Sequence, residues 1–262
     1  MERHSSMRSI AIVGFITIVR TEVRRFTRIW TQTLVPPVIT MVLYLYIFGS
    51  VIGRKIGSVM DMPYIQFIGP GIIAMALLNS AYSNVNSSFF SSKNHRFYEE
   101  MFVTPIPSTA IVLGYLMGGI FRGLIVMCLV ACVVYAFNPF VIHNLSVLVL
   151  AAVMTSIIFA SLGMLNAIIA GSHDEANWVN NFIITPLTYM GGVFFPMSSL
   201  PEIVQPIAEL NPILMVVSSF RFSILGVEGG PIFLHLMGLM ICATGLVLIL
   251  TTMVERRYKL GD

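Results

Sequence analysis

Six long apolar runs decide what this chain can become. They fall at about 33–52, 64–90, 110–137, 145–170, 178–195 and 232–254. Roughly 20 apolar residues in a helix cross the hydrocarbon core of a bilayer, so each run is long enough to span, the fifth only marginally. The remainder of the chain agrees. Of 262 residues, 56% are hydrophobic and only 10% carry a charged side chain, against roughly 25% charged in soluble domains. So few charges cannot cover a water-facing surface. The sequence therefore predicts an all-α membrane protein, and six spans leave no room for a large soluble domain.

The basic residues orient the spans. Arg3, Arg8, Arg20, Arg24, Arg25 and Arg28 precede the first run, Arg256, Arg257 and Lys259 follow the last, and Lys93 and Arg96 sit between the second and third. Only Arg54, Lys55 and Arg221 fall on the other side. Positive residues stay in the cytoplasm, which places both termini there and requires an even number of spans. Residues 8–30 read as an amphipathic helix on the membrane surface. Ile12, Phe15, Val19, Val23, Phe26 and Trp30 make its apolar stripe, opposite Thr17, Arg20, Arg24 and Arg28. Arginines and an interfacial Trp suit an anionic inner leaflet. The ten-residue run 10–19 is too short to span and has no cleavage site after it, so no cleaved signal peptide is expected. Cys128, Cys132 and Cys242 lie in apolar runs and read as small buried hydrophobes.

Motifs for soluble-site chemistry are missing. No Lys follows a Gly anywhere in the sequence, which excludes a phosphate-binding loop in this chain, so any ATP and Mg must be held by a partner. There is no histidine pair for zinc, no serine nucleophile elbow and no expected cofactor or metal site. The His173-Asp174-Glu175 segment reads as a solvated turn. Two polar features stand out inside the spans. Arg122 lies deep in the third run, where a central Arg costs about 2.5–3.5 kcal/mol on insertion scales, and no carboxylate is deep enough in any run to pair with it. Asn79, Ser83 and Asn86, with Phe90, share one face of the second run. These three and Arg122 are candidates for a substrate path, and helix-to-helix bonding is the alternative for all of them.

After the fifth run the pattern changes. Gly191, Gly192, Phe195, Pro196, Pro201, Asn211 and Pro212 cut the chain into pieces too short to cross, followed by an apolar stretch that holds Arg221. Two short helices dipping into the outer leaflet fit this spacing, because broken backbone at membrane depth must be buried in protein or face a water-filled cavity. Residues 97–103, from Phe97 through Tyr98, Glu99, Glu100, Met101 and Phe102 to Val103, mix acidic with exposed apolar groups and read as a protein contact.

The run Gly191-Gly192-Val193-Phe194-Phe195-Pro196, with Leu200-Pro201, Asn211-Pro212 and Arg221, resembles the signature region of ABC-2 type transport permeases. Arg25-Phe26 through Trp30, Thr33-Leu34-Val35-Pro36-Pro37 and Glu99-Glu100-Met101-Phe102-Val103-Thr104-Pro105 extend the likeness over nearly the whole chain. The resemblance implies a single transmembrane domain, 1–262, with an interface helix (8–30), spans one to five (33–195), a re-entrant region (196–231) and span six (232–254). It further implies a bacterial inner-membrane exporter subunit that pairs with a second copy of itself and two copies of a separate ABC ATPase, with 97–103 as the coupling segment. Its substrates would be drugs, lipids or lipid-linked glycans; membrane lipids are its other partners and nucleic acid is not. The rival readings are an ion-coupled carrier or channel, and a membrane-embedded lipid-modifying enzyme with His235 or His173 as base.

Overall fold

A computed structural model describes residues 2–95, 97, 103–199, 201, 205, 208, 211–227 and 230–256. The chain begins with α1 (Glu2–Arg28), breaks at Ile29, and continues as α2 (Trp30–Thr33), α3 (Val35–Tyr44), a π-helical stretch Leu45–Ile52 and α4 (Gly53–Ile56). A two-residue hairpin follows, β1 (Ser58–Val59) pairing antiparallel with β2 (Met62–Pro63). Then come α5 (Tyr64–Asn94), α6 (Ser108–Phe137), α7 (Leu145–Ile169), α8 (His173–Val179), a π-helical stretch Asn180–Ile184, α9 (Thr185–Met190), α10 (Pro212–Leu225) and α11 (Ile232–Glu255). Among the described residues, five helical stretches are long and apolar enough to cross a membrane: Trp30–Ile56, α5, α6, α7 and α11.

The fifth expected span, 178–195, is not among those five. Six of the nine residues from His173 to Asn181 are polar, which lowers its hydropathy. Pro186 cannot donate to the carbonyl four residues back, and the helix turns π-helical just before it. Thr185 Oγ1 donates to the Asn180 carbonyl at 2.9 Å within that irregular turn. The helix ends at Gly191, ahead of Gly192 at φ +74°. Its first residue, His173, stacks edge-on against Phe90 near the end of α5, while Phe194, just past its last, accepts a bond from Tyr64 Oη at the start of α5.

α5 is the central helix, buried over most of its length against α6, α7 and α10. Lipid offers no hydrophobic drive between helices, so small residues that let backbones approach take over, and α6 supplies them on two faces. A Cβ at Gly114 would lie 2.8 Å from Ile18, and one at Gly118 2.6 Å from Glu22, both on α1. One turn round, a Cβ at Gly119 would lie 2.7 Å from Val85 of α5, and at Gly123 3.1 Å from Leu77. On α7, Gly163 is pressed against the main-chain oxygen of Tyr82.

One expectation, the buried cysteines, needs correcting here. The face of α1 turned to the bundle is Gly14, Ile18, Glu22 and Phe26, and of the apolar stripe Phe26 is buried while Ile12 and Trp30 are exposed. The glycines of α6 select that face, since only residues four apart can follow their ridge. Cys128 and Cys132 are exposed on α6 and only Cys242 is half-buried; in that half of α6 the inner face is taken by Val126, Val130 and Val134, which turns the cysteines outward.

Candidate functional site

Two polar knots hold the bundle, one at each end. At the end where α1 meets α5, Glu22 is 3% exposed although it is a carboxylate. Its Oε1 accepts from Ser88 Oγ, and its Oε2 accepts from Arg25 Nη2 at 3.1 Å and Asn84 Nδ2 at 3.3 Å. Arg25 Nη2 also reaches the Asn84 carbonyl at 3.1 Å and Oδ1 at 2.9 Å. Burial of a charge is tolerated when it is paired and its lone pairs are filled, and here four side chains on two helices do both. α1 lies along α6, and the pairing of Arg25 with Asn84 and of Glu22 with Ser88 joins it, antiparallel, to the second half of α5.

The predicted path residues find partners close by. Arg122 is buried, and its Nη2 donates to the Thr33 carbonyl at 2.8 Å. Thr33 Oγ1 in turn donates to the Phe26 carbonyl at 2.8 Å across the break at Ile29. Arg122 is thereby seated on the elbow between α1 and the first span, using a main-chain oxygen for which Pro37, four residues on, has no N–H to offer. Asn79 bonds its own helix at the Met75 carbonyl, and Ser83 is half-buried. Asn86 donates to the Ala176 carbonyl at 3.0 Å and accepts from Asn166 of α7. Asn166 also faces Tyr82 Oη and the Ala176 carbonyl. Lys93 Nζ reaches the Ile168 and Ala170 carbonyls at 2.6 and 3.1 Å, a cation on the negative end of α7. The structure thus places Asn79, Asn86 and Arg122 in helix-to-helix or local bonds, with Ser83 half-buried on the same helix as the two asparagines.

At the far end the bonds run from side chain to main chain. Arg221 Nη2 donates to the Gly192 carbonyl at 2.8 Å while its guanidinium lies 4.0 Å from the centre of the Phe67 ring. Asn211 caps α10 through Ile213 N and donates from Nδ2 to the Leu187 carbonyl at 2.6 Å. Pro212 stands at the first helical position, where its missing N–H costs nothing. Gly191 is packed on Ile213. Tyr44, Phe48, Tyr189 and Phe194 close the knot with aromatic contacts and a 3.1 Å bond between the two Tyr hydroxyls. Phe195 and Pro196 are half-buried beside it and Pro201 is exposed.

Of the expected coupling segment, Phe97 and Val103 are exposed, and Tyr98, Glu99, Glu100, Met101 and Phe102 lie outside the described residues. A groove of about 810 Å³ opens beside it between α1 and the chain entering α6, lined by Val13, Thr17, Phe97, Pro105, Ile106 and Tyr115 among others. The Glu22 network was missed by sequence reasoning, although a signal existed: Glu22 is the only acidic residue between Glu2 and Asp61.

Residues 13–225 match the family model described as "ABC-2 type transporter", and the chain belongs to that family of membrane-embedded transport permeases. It is 43% identical over 235 residues, 90% of this chain and 92% of the relative, to the inner membrane transport permease YadH of Escherichia coli. It is also 28% identical over 218 residues to Nodulation protein J of Sinorhizobium fredii, covering 81% of this chain and 82% of that one. The chain is therefore a multi-pass inner-membrane permease and not an enzyme, and its family implies partnership with an ABC ATPase.

Proposed function

We propose that this chain is the membrane subunit of an ATP-driven exporter, built from two copies of the permease and two copies of a separate ATPase that holds ATP and Mg. The family match over 13–225 carries the reading. The helix from His173 to Met190 is the remaining crossing, giving six, because its two ends meet opposite ends of α5. Six crossings put both termini in the cytoplasm, in line with the arginine count. The re-entrant region is 196–231: within it α10, 14 residues long, is tied to Leu187 at its start and to the chain before α7 at its end, through Asn144 N to the Ser223 carbonyl.

Residues 97–103, next to the groove along α1, are the contact for the ATPase. Closure of the two ATPases on ATP pushes there and rocks the permease copies apart at their shared path. The substrate is amphipathic, a drug, a lipid or a lipid-linked glycan, which suits the exposed apolar faces of the first and last spans. Arg122 braces the elbow of α1, and the path runs between copies.

Purification from native membranes tests the assembly, with a stoichiometric ATPase as the expected result and its reproducible absence as the refutation. In the same assay Glu99→Arg with Glu100→Arg abolishes association. Association left intact would remove the docking role from this segment.

A further inference from the structure

We infer that the Glu22 network makes α1 and the central helix α5 one moving body, so that Glu22 is the positioning residue through which a push on α1 reaches the core of the permease. This rests on the ATP-driven reading above. A helix lying on a membrane surface can serve as a free lever only if its contacts with the bundle are apolar and able to slide. The contacts of α1 are of the other kind. Glu22 is buried and holds Arg25, Asn84 and Ser88 at once, with both carboxylate oxygens occupied. Moving α1 past α5 breaks the bonds of Glu22 to Asn84 and Ser88 and leaves a buried carboxylate short of partners while it moves, which is unfavourable.

The steric fit agrees. Gly114 and Gly118 of α6 admit Ile18 and Glu22 with no room for a methyl group, so α1 is seated between α5 and α6. A third tie, Arg122 to the Thr33 carbonyl, fixes the elbow where a lever would have to bend. The bonds to Glu22, the glycine contacts at Ile18 and Glu22 and the Arg122 bond, spread over 18–33, thus hold α1 against the two helices it would have to leave.

Spin labels test this directly on the purified complex of permease and ATPase, in lipid nanodiscs, with Cys128, Cys132 and Cys242 replaced by Ala. One label goes at Ile12 on α1, the second at Met60 before α5 or at Val141 after α6, all three exposed. The expected result is that both distances agree within about 2 Å between the nucleotide-free and ATP-trapped complexes, below the scale of a domain rearrangement. In Glu22→Gln or Ser88→Ala the same distances shift or broaden beyond that on adding ATP, and ATP hydrolysis no longer depends on the permease. A change in the unsubstituted complex overturns the inference, as does unchanged behaviour in both variants. Ser88→Ala keeps the test open should Glu22→Gln fail to assemble, and Ser88→Thr, which retains the hydroxyl, restores the rigid distance. If no ATPase accompanies the permease, the proposed function itself falls, and that result is read from the gel before any distance is measured.

Discussion

The two ends of this bundle are held by different chemistry. The Glu22 carboxylate is held by side chains alone, Arg25, Asn84 and Ser88, which sit on regular helices that would persist without the bonds. Near Arg221, side chains bind carbonyls that irregular backbone leaves open at Leu187 and Gly192. The first kind joins two rigid parts. The second lets chain at the end of a helix stay in an apolar setting, where an unmet carbonyl costs several kcal/mol. One end is therefore built to transmit, the other to hold a fixed shape.

That contrast can be broken at its strong end first. Arg221→Leu removes the donor to Gly192 and the cation over Phe67 together, and should lower stability by about 3 kcal/mol, the upper range for bonds to charged groups. Thermal unfolding in detergent measures it. Arg221→Lys should recover only part, since an ammonium lacks the flat guanidinium that lies on Phe67; full recovery would mean that charge alone matters there. Glu22→Ala comes next, at about 2 kcal/mol, because Arg25 keeps some solvent contact once released. The double variant Glu22→Ala with Ser88→Ala should cost less than the sum of the two single changes, since neither change can remove the same bond twice. Additive losses would show that the two residues do not act together. Cys128→Ala with Cys132→Ala, on the outward face of α6, should stay within about 0.5 kcal/mol, and a larger loss would mean that this face is covered.

The sequence displayed what depends on runs and hid what depends on facing. Spans three, four and six start within two residues of their expected positions, because a hydrocarbon core demands unbroken apolar length. The signature from Gly191 to Arg221 was legible too, since special backbone needs Gly, Pro and Asn at set places. The partner of Arg122 was only half legible: Pro37 has no N–H to give the Thr33 carbonyl, which leaves that oxygen open, but only the fold brings Arg122 to it. The outward turn of Cys128 and Cys132 was equally hidden, as an all-apolar helix carries no stripe to say which side faces lipid. The tip of the first loop, where Met60 and Asp61 adopt φ +54° and +61°, lacks the Asn-Gly or Asp-Gly pair that announces such a turn.

The four glycines of α6 set a rule for motion as well as for packing. With α1 in one row of notches and α5 in the other, α6 has no smooth track along either neighbour. It cannot roll about its own axis without driving its neighbours' side chains, Ile18, Glu22 and Val85, out of their notches. Any shift along its length has to proceed in steps of one helical turn, about 5.4 Å. Tilting of that group of helices as a whole is the motion that this packing leaves open.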